Sequence, residues 1–483
     1  MAGPLRDLTP YFIYLLLTAT LGPLLFGYHL AELNAPAEVI TCAKESIHGT
    51  TSTKFSQCIR MNPSQFGLVS SSFTLGGLIG ALSAGPITTK YGRLRAMLIS
   101  GIFAVVGPVF EAAASSIGVM TVGRLLSGVG AGMATVVVPI YISEISPPDK
   151  RGLFGAFTQI MTNLGILITQ ALGLFLSRGQ MWRIILGVGG AIALVQTISL
   201  GLAGQESPQW LADHGKTSQA KRILQKLRGH KVDISDETST WTSAHNANAN
   251  EEEETLLASS STHEAPPTIG PLAVLSHPDH RSAVIAVVTI MIAQQFTGIN
   301  SIVMYGVSLL SNLLTTNAAL LNVLVAAVNV IITTSCAPLV DRLGRKPCLI
   351  ASICGMGVSS LLLAVGIMRS IPILSAIAVI LFVASFGFGL GPIPFILASE
   401  LASSEAVGAT QSWALAANWT ATFVVAQFFP VVNAAMGKGQ VYFLFAGAAV
   451  FFAGFVALYV PETLGRRDAD EIWGRRKAGM LED

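Results

Sequence analysis

Long apolar runs separated by short polar breaks dominate this chain. A helix that crosses a bilayer needs roughly 20 predominantly apolar residues, and about twelve runs reach that length. They lie near 11–33, 65–88, 97–117, 120–142, 153–176 and 182–203, and then near 283–312, 318–339, 348–367, 372–398, 409–433 and 440–460. Polar residues recur inside them at helical spacing. Gln159, Asn163 and Gln170 share one face of the fifth run, as i, i+4 and i+11 positions do. Asn322, Asn329 and Thr333 repeat the pattern in the eighth run, and Gln411, Asn418 and Thr422 in the eleventh. The seventh run carries QQFTGIN, Gln294 to Asn300. Amides in hydrocarbon are costly unless something satisfies them. A single stripe is explained by hydrogen bonds between helices, worth about 0.6 kcal/mol per contact. Three stripes and the seventh-run cluster together point to the lining of a wet cavity.

Composition agrees with a membrane protein. The 483 residues are 52% hydrophobic and 12% charged, against about 25% charged in soluble domains. The first run lacks a small-residue cleavage site and continues into polar residues, so it reads as a span and not as a signal peptide. Basic residues cluster in loops of one side: Lys90, Arg93 and Arg95, then Lys150 and Arg151, then Arg342, Arg345 and Lys346. The positive-inside rule places these loops and both termini in the cytosol. The opposite loops are sparser, apart from the first with Lys44, Lys54 and Arg60. The net charge of +2 says little about partners, and no basic footprint for nucleic acid is present. Cys42 and Cys58 share the first exterior loop; a disulfide and two free thiols both fit, since spacing does not fix their geometry. Cys336, Cys348 and Cys354 read as small apolar fillers. No metal-ligand spacing occurs, and no cofactor is expected.

The chain repeats itself. Lys90-Tyr91-Gly92-Arg93 returns as Arg342-Leu343-Gly344-Arg345, and Glu144 as Glu400. A parallel repeat of two six-helix halves is a transporter architecture, with its site between the halves near mid-membrane. The expected fold is an all-α membrane protein: twelve transmembrane helices in two pseudo-repeat halves, 1–204 and 281–464. A cytosolic linker, 205–280, joins them, and a short tail, 465–483, follows. In the linker, Ala220, Ile223, Leu224 and Leu227 form one apolar stripe, which predicts a short helix. From about 231 to 268 the composition is that of a disordered segment. Its acidic run, Glu251 to Glu254, reads as solvated linker or, with Glu252 ahead of Leu256 and Leu257, as an acidic dileucine sorting signal for an adaptor.

Amides both donate and accept, as a hydroxyl does. The seventh, eighth and eleventh spans offer no carboxylate to such a lining, so a neutral sugar or polyol suits it. Its C–H face would lie on rings, for which Phe386, Phe388, Phe395 and Trp419 are candidates; packing or lipid contact is their plainer role.

The motifs FGYHLAELNAP at 26–36, GRLLSG at 123–128, PIYISEISPPDKRG at 139–152, QESPQWL at 205–211, QQFTGIN, VDRLGRKP at 340–347, GLGPIPF at 389–395 and PETLG at 461–465 resemble those of the sugar porter family of the major facilitator superfamily. The likeness runs nearly the whole chain and is to facilitative glucose and hexose carriers. It implies that Gln159, Gln294, Gln295, Asn300 and Asn329 bind sugar hydroxyls. It also implies that Trp419 and Phe395, the latter replacing a tryptophan, wall the site. Tyr305 stands at an exterior gate tyrosine, beside Met304 where a second tyrosine is usual. Gly387 replaces a frequent glutamate and Thr422 a frequent asparagine, so fewer polar contacts are expected on the second-half side. The resemblance further implies that cytosolic ion pairs gate the site, drawn from Arg93, Glu144, Arg151 and Glu206 in one half and Asp341, Arg342, Arg345 and Glu400 in the other. Val407 replaces an expected arginine. A Glu144–Arg151 pair is the particular expectation, with plain positive-inside topology as the alternative.

Proton-coupled members of this family carry a first-span aspartate near the fourth-span arginine. Here those positions are His29 and Arg124. Like charges oppose each other, so a histidine beside arginine is expected to stay neutral and transport to be facilitated diffusion of a hexose. Coupling through His29, as a proton symporter of sugar or polyol, is the alternative. Glu32 is expected near the exterior end in contact with water; Glu111 has no assigned role. A non-transporting sugar sensor on the same fold is a further alternative, disfavoured by a tail too short for a folded signalling domain. An enzyme would need a nucleophile–base pair or metal cluster, and no such motif appears. The expected setting is the plasma membrane, or a vacuolar or endosomal one, with the chain acting as a monomer.

Overall fold

The computed structural model describes residues 8–43, 56–229, 272–310, 318–403, 405–437, 439–466 and 469–474, together with 232–235, 237, 238 and 241. Twelve helices in it are long and apolar enough to cross a membrane. The first six are Pro10–Ala31, Pro63–Tyr91, Arg93–Ala113, Ile117–Ile145, Arg151–Leu176 and Trp182–Ala203. Side-chain caps mark the starts of the first, second and fourth. Asn62 and Gln65 form a reciprocal capping box that opens the second span before its apolar run begins. Ser116 caps the fourth span one way, its Oγ accepting from Val119 N at 3.4 Å.

The second half departs from simple rods where its sequence is polar. The seventh span divides into Pro278–Phe296 and Ile299–Leu310. Gly298 lies between them at φ +100°, a conformation glycine adopts without strain, and a Cβ there would press on the Phe445 ring at 2.5 Å. The tenth span runs Pro372–Ser385, widens into a π-turn at Phe386–Leu390, and resumes as Ile393–Glu400. Pro392 and Pro394 cannot donate backbone hydrogen bonds, so this break leaves carbonyls free. The eighth, ninth, eleventh and twelfth spans are Ala318–Leu343, Arg345–Met368, Val407–Met436 and Val441–Tyr459.

Two helices follow the sixth span, Pro208–Asp213 and Thr217–Arg228. The second buries Ala220, Leu224 and Leu227 on its predicted stripe. Glu252, Leu256 and Leu257 lie outside the described residues, as do Lys44 and Lys54.

The halves touch through the second and eleventh spans and through the fifth and eighth. At one end of the bundle Cys42 and Cys58 are joined in a disulfide, Cα to Cα 5.3 Å. Trp182 Nε1 and Arg183 Nη2 hold that loop by donating to the carbonyls of Gln57 and Ser56, each at 2.9 Å. We call this the disulfide end and the opposite one, with the Arg93 and Arg345 loops, the basic end. Cys336, Cys348 and Cys354 are free thiols.

The internal repeat has a structural counterpart at the basic end. Gly92 at φ +92° and Gly344 at φ +98° each separate two spans. A Cβ at Gly92 would overlap the Glu206 carboxylate, and one at Gly344 would lie 2.8 Å from Glu462 Oε2. Both sites need positive φ and a bare backbone. Gly92→Ala and Gly344→Ala are each expected to lower stability by about 1–2 kcal/mol, read as a fall in thermal midpoint. Gly85→Ala, a helical position with open space around it, is expected to leave the midpoint unchanged or raise it.

Candidate functional site

The seventh-span amides are buried and form one chain. Asn300 Nδ2 donates to Gln295 Oε1 at 2.5 Å, and Gln295 Nε2 to Gln294 Oε1 at 3.0 Å. Asn418 Nδ2, from the eleventh span, donates to the same Gln294 oxygen at 2.6 Å. Gln294 Nε2 donates to the carbonyls of Leu390 and Gly391 at 2.8 and 3.0 Å. These are the carbonyls that the tenth-span break sets free. The breaks and the amides therefore belong together: one supplies acceptors that the other needs.

A second chain crosses between the halves. Gln159 Nε2 donates to Asn163 Oδ1 at 3.2 Å, and Asn329 Nδ2 reaches the same oxygen at 3.4 Å. Asn163 Nδ2 donates to Thr333 Oγ1 at 3.1 Å, which donates to Asn329 Oδ1 at 3.2 Å. A Cβ at Gly387 would stand 3.1 Å from Thr333 Oγ1 and 3.2 Å from Asn329 Oδ1. The glycine leaves room beside that buried polar pair. Trp419 packs edge-on against Phe26 at 5.6 Å and Phe73 at 6.4 Å between ring centroids, so it joins the halves. Phe395 does not join the cluster: it is 45% exposed, and among the described residues no ring pairs with it.

The disulfide end is closed. Tyr305 donates to the Ala426 carbonyl at 2.6 Å, stacks on Phe429 at 5.4 Å, and meets Phe66 of the other half at 5.9 Å. Asn34 is the residue that sequence reasoning missed. Its Nδ2 donates to the Val303 carbonyl at 2.9 Å, and its Oδ1 accepts from Val307 N at 2.9 Å. It pins the second piece of the seventh span to the end of the first. The available signal was an amide just past the apolar run, inside a motif already singled out. Ser71 Oγ adds a bond to Gln427 Oε1 at 2.8 Å.

At the basic end the pairing differs from expectation. Glu144 is held bidentately by Arg93, at 2.6 and 2.9 Å, and Arg151 is exposed. The Arg93 fork takes both carboxylate oxygens of Glu144. Glu206 accepts from the backbone N–H groups of Arg93 and Leu94 at 2.8 and 3.1 Å, and so caps the third span. The second half repeats this. Arg345 Nη2 is 3.1 Å from Glu400 Oε1, and Glu462 accepts from the N–H groups of Arg345 and Lys346 at 3.0 and 2.9 Å. Glu462 lies in the PETLG motif but was not expected to take part. The Asp341 side chain lies outside what the structure describes.

A cluster of ionisable side chains is buried in the first half. Arg124, His29, Glu32 and Glu111 have side chains with 0% exposure. Arg124 Nη1 donates to Glu32 Oε1 and to the His29 carbonyl, the latter at 2.8 Å. His29 Nδ1 is within 3.0 Å of the Glu32 carboxylate. Glu111 Oε2 is 4.0 Å from Arg124 Nη1, and Glu111 Oε1 accepts from Ser127 Oγ at 2.5 Å. The Phe73 ring faces the guanidinium at 4.6 Å. The expectation of a hydrated Glu32 is thus corrected. It lies one helical turn beyond His29, on the same face, and supplies Arg124 with a carboxylate. Removing one partner of a buried ion pair costs about 3–5 kcal/mol. Glu32→Gln is expected to lose that much stability, and Glu32→Gln with Arg124→Gln to lose less, as measured by thermal unfolding of the purified protein.

Two broken helices with self-paired amides, closed at one end between two six-helix halves, define a carrier of the major facilitator fold. A family model described as "Sugar (and other) transporter" matches residues 15–472, and the chain belongs to that family. It is 35% identical over 481 residues to a probable metabolite transport protein of Saccharomyces cerevisiae, covering 96% of each chain. It is 30% identical to the human solute carrier family 2, facilitated glucose transporter member 3, over 482 residues, covering 96% of this chain and 92% of that protein. Among solved structures, the partially occluded inward-open xylose transporter XylE from E. coli matches with a TM-score of 0.76 at 24% identity. That match covers 95% of this chain and all of the other; it speaks to the fold.

Proposed function

We propose that this sugar transporter moves a hexose by facilitated diffusion. The observation that carries the reading is the Asn300–Gln295–Gln294–Asn418 chain of uncharged amides. Each amide both donates and accepts, so a sugar hydroxyl can take the place of either neighbour. Sugar enters between the halves, and the second piece of the seventh span closes over it through Tyr305 and Asn34. The halves, 1–204 and 281–464, then rock about the site. No covalent step takes part.

The basic end faces the cytosol, with both termini there. Two features support this orientation: the arginines and lysines of its loops, and the disulfide at the other end, a bond that persists in oxidising compartments. The plasma membrane is the proposed setting and the monomer the working unit.

Uniport rests on His29, which stands where proton-coupled members carry an aspartate. Proton symport is the second reading, favoured by one observation: Glu32 gives Arg124 a carboxylate at the end of the first span, and such a group can lose and regain a proton beside an arginine. Uptake into proteoliposomes is expected to be unchanged by an imposed pH gradient. Uptake driven by that gradient and collapsed by an uncoupler would move the assignment to symport. Loss of one neutral hydrogen bond costs about 0.5–1.5 kcal/mol. Gln294→Ala combined with Asn300→Ala is therefore expected to reduce hexose uptake per folded molecule at least about tenfold, and to lower the thermal midpoint, because the Leu390 and Gly391 carbonyls lose their donor. Unchanged uptake would refute the site.

A further inference from the structure

We propose that the Thr217–Arg228 helix binds anionic phospholipid headgroups of the leaflet at the basic end, through Lys221, Arg222 and Lys226. The helix is fixed in place by its opposite face. Leu227 packs in one cluster with Phe12 and Phe154, and its carbonyl accepts from Thr9 Oγ1 at 2.8 Å. Arg228 donates to the carbonyls of Ile145 and Ser146 at 2.7 and 3.0 Å and pairs with Glu237 at 2.7 Å. The exposed face carries Lys221, Arg222 and Lys226, and no acidic residue occurs from Lys216 to Gly229. Arg222 and Lys226 are four apart and so lie on one side.

The position of that face selects a lipid. Lys226 Nζ stands 3.7 Å over the ring of Tyr11, in the first turn of the first span. Tyr11 donates in turn to the carbonyl of Ala203, the last residue of the sixth span, at 2.7 Å. Directly below this junction the bundle surface is apolar and open: Leu17, Ile198 and Leu202 are exposed, the last at 84%. The cations thus sit where an acyl-facing wall ends, with an aromatic ring at the boundary, which is the level of phosphate groups. Lysine stems can lie along that wall while their charge meets the phosphate.

The proposal rests on the orientation given above, and the test separates the two. The full chain is extracted from vesicles of phosphatidylcholine and phosphatidylserine, and retained lipids are counted by native mass spectrometry. The triple variant Lys221→Gln, Arg222→Gln, Lys226→Gln is expected to retain at least about fivefold less phosphatidylserine, with phosphatidylcholine retention and thermal midpoint unchanged. Equal phosphatidylserine retention by the variant and the parent chain overturns the lipid site. A parallel Lys226→Cys variant, made with Cys336, Cys348 and Cys354 replaced by alanine, is treated in intact cells with an impermeant maleimide. Protection supports the orientation. Labelling from outside overturns it, and with it the choice of leaflet.

Discussion

A polar group placed in hydrocarbon must find its partner inside the protein or in its cargo. In this chain that requirement governs where helices break as well as where polar side chains lie. The tenth span opens into a π-turn and so exposes the carbonyls of Leu390 and Gly391. Gln294 closes on both. The seventh span breaks at Gly298, and the piece beyond the break is caught by Asn34 from the other half. Irregular backbone is tolerated at membrane depth because amides from neighbouring spans complete it. The same amides are the groups proposed to engage the sugar.

Strength is distributed unevenly, and that unevenness suits rocking. Charge braces each half internally. Arg124 joins the first and fourth spans through Glu32 and stands beside Glu111 of the third. Arg93, Glu144 and Glu206 tie the third span to the fourth and to the segment after the sixth, and Arg345, Glu400 and Glu462 do likewise in the second half. Across the halves, the described contacts at Asn34, Asn163, Gln427 and Trp419 are neutral hydrogen bonds and ring packing. A neutral hydrogen bond is worth about 0.5–1.5 kcal/mol net, whereas leaving the buried Arg124 or Glu32 charge unpaired costs about 3–5 kcal/mol. Relative motion therefore follows the seam between halves and leaves each half intact.

Periodicity made the twelve spans, the repeat and the amide stripes legible, because burial in lipid imposes a length and a face on every helix. Pair assignments were less legible. Arg93 and Arg151 are equivalent as charges in a sequence; only the bidentate fit of Arg93 to Glu144 separates them. Glu32 was misjudged because its place near a span end suggested water, while helical phase turns it inward to Arg124. Asn34 and Glu462 sat in recognised motifs, yet their partners, Val303 and Val307 in one case and two backbone N–H groups in the other, are far away in the chain. Phe395 shows the converse: a motif position places a ring on the correct helix without turning it toward the site.

The self-paired amides also bear on how tightly cargo is held. Gln294 and Gln295 are not waiting for partners: each Nε2 already donates, and their oxygens already accept from Asn418, Gln295 or Asn300. A hydroxyl that enters must displace one of these bonds while shedding water of its own. What is gained is the difference between two similar hydrogen bonds, not a whole one. Binding of this kind is a near-balanced exchange. It discriminates by shape and by the number of hydroxyls that find a match, and it leaves no deep well from which the sugar must climb. A carrier that works without an energy source needs that balance, since the cargo has to leave on the far side as readily as it arrived.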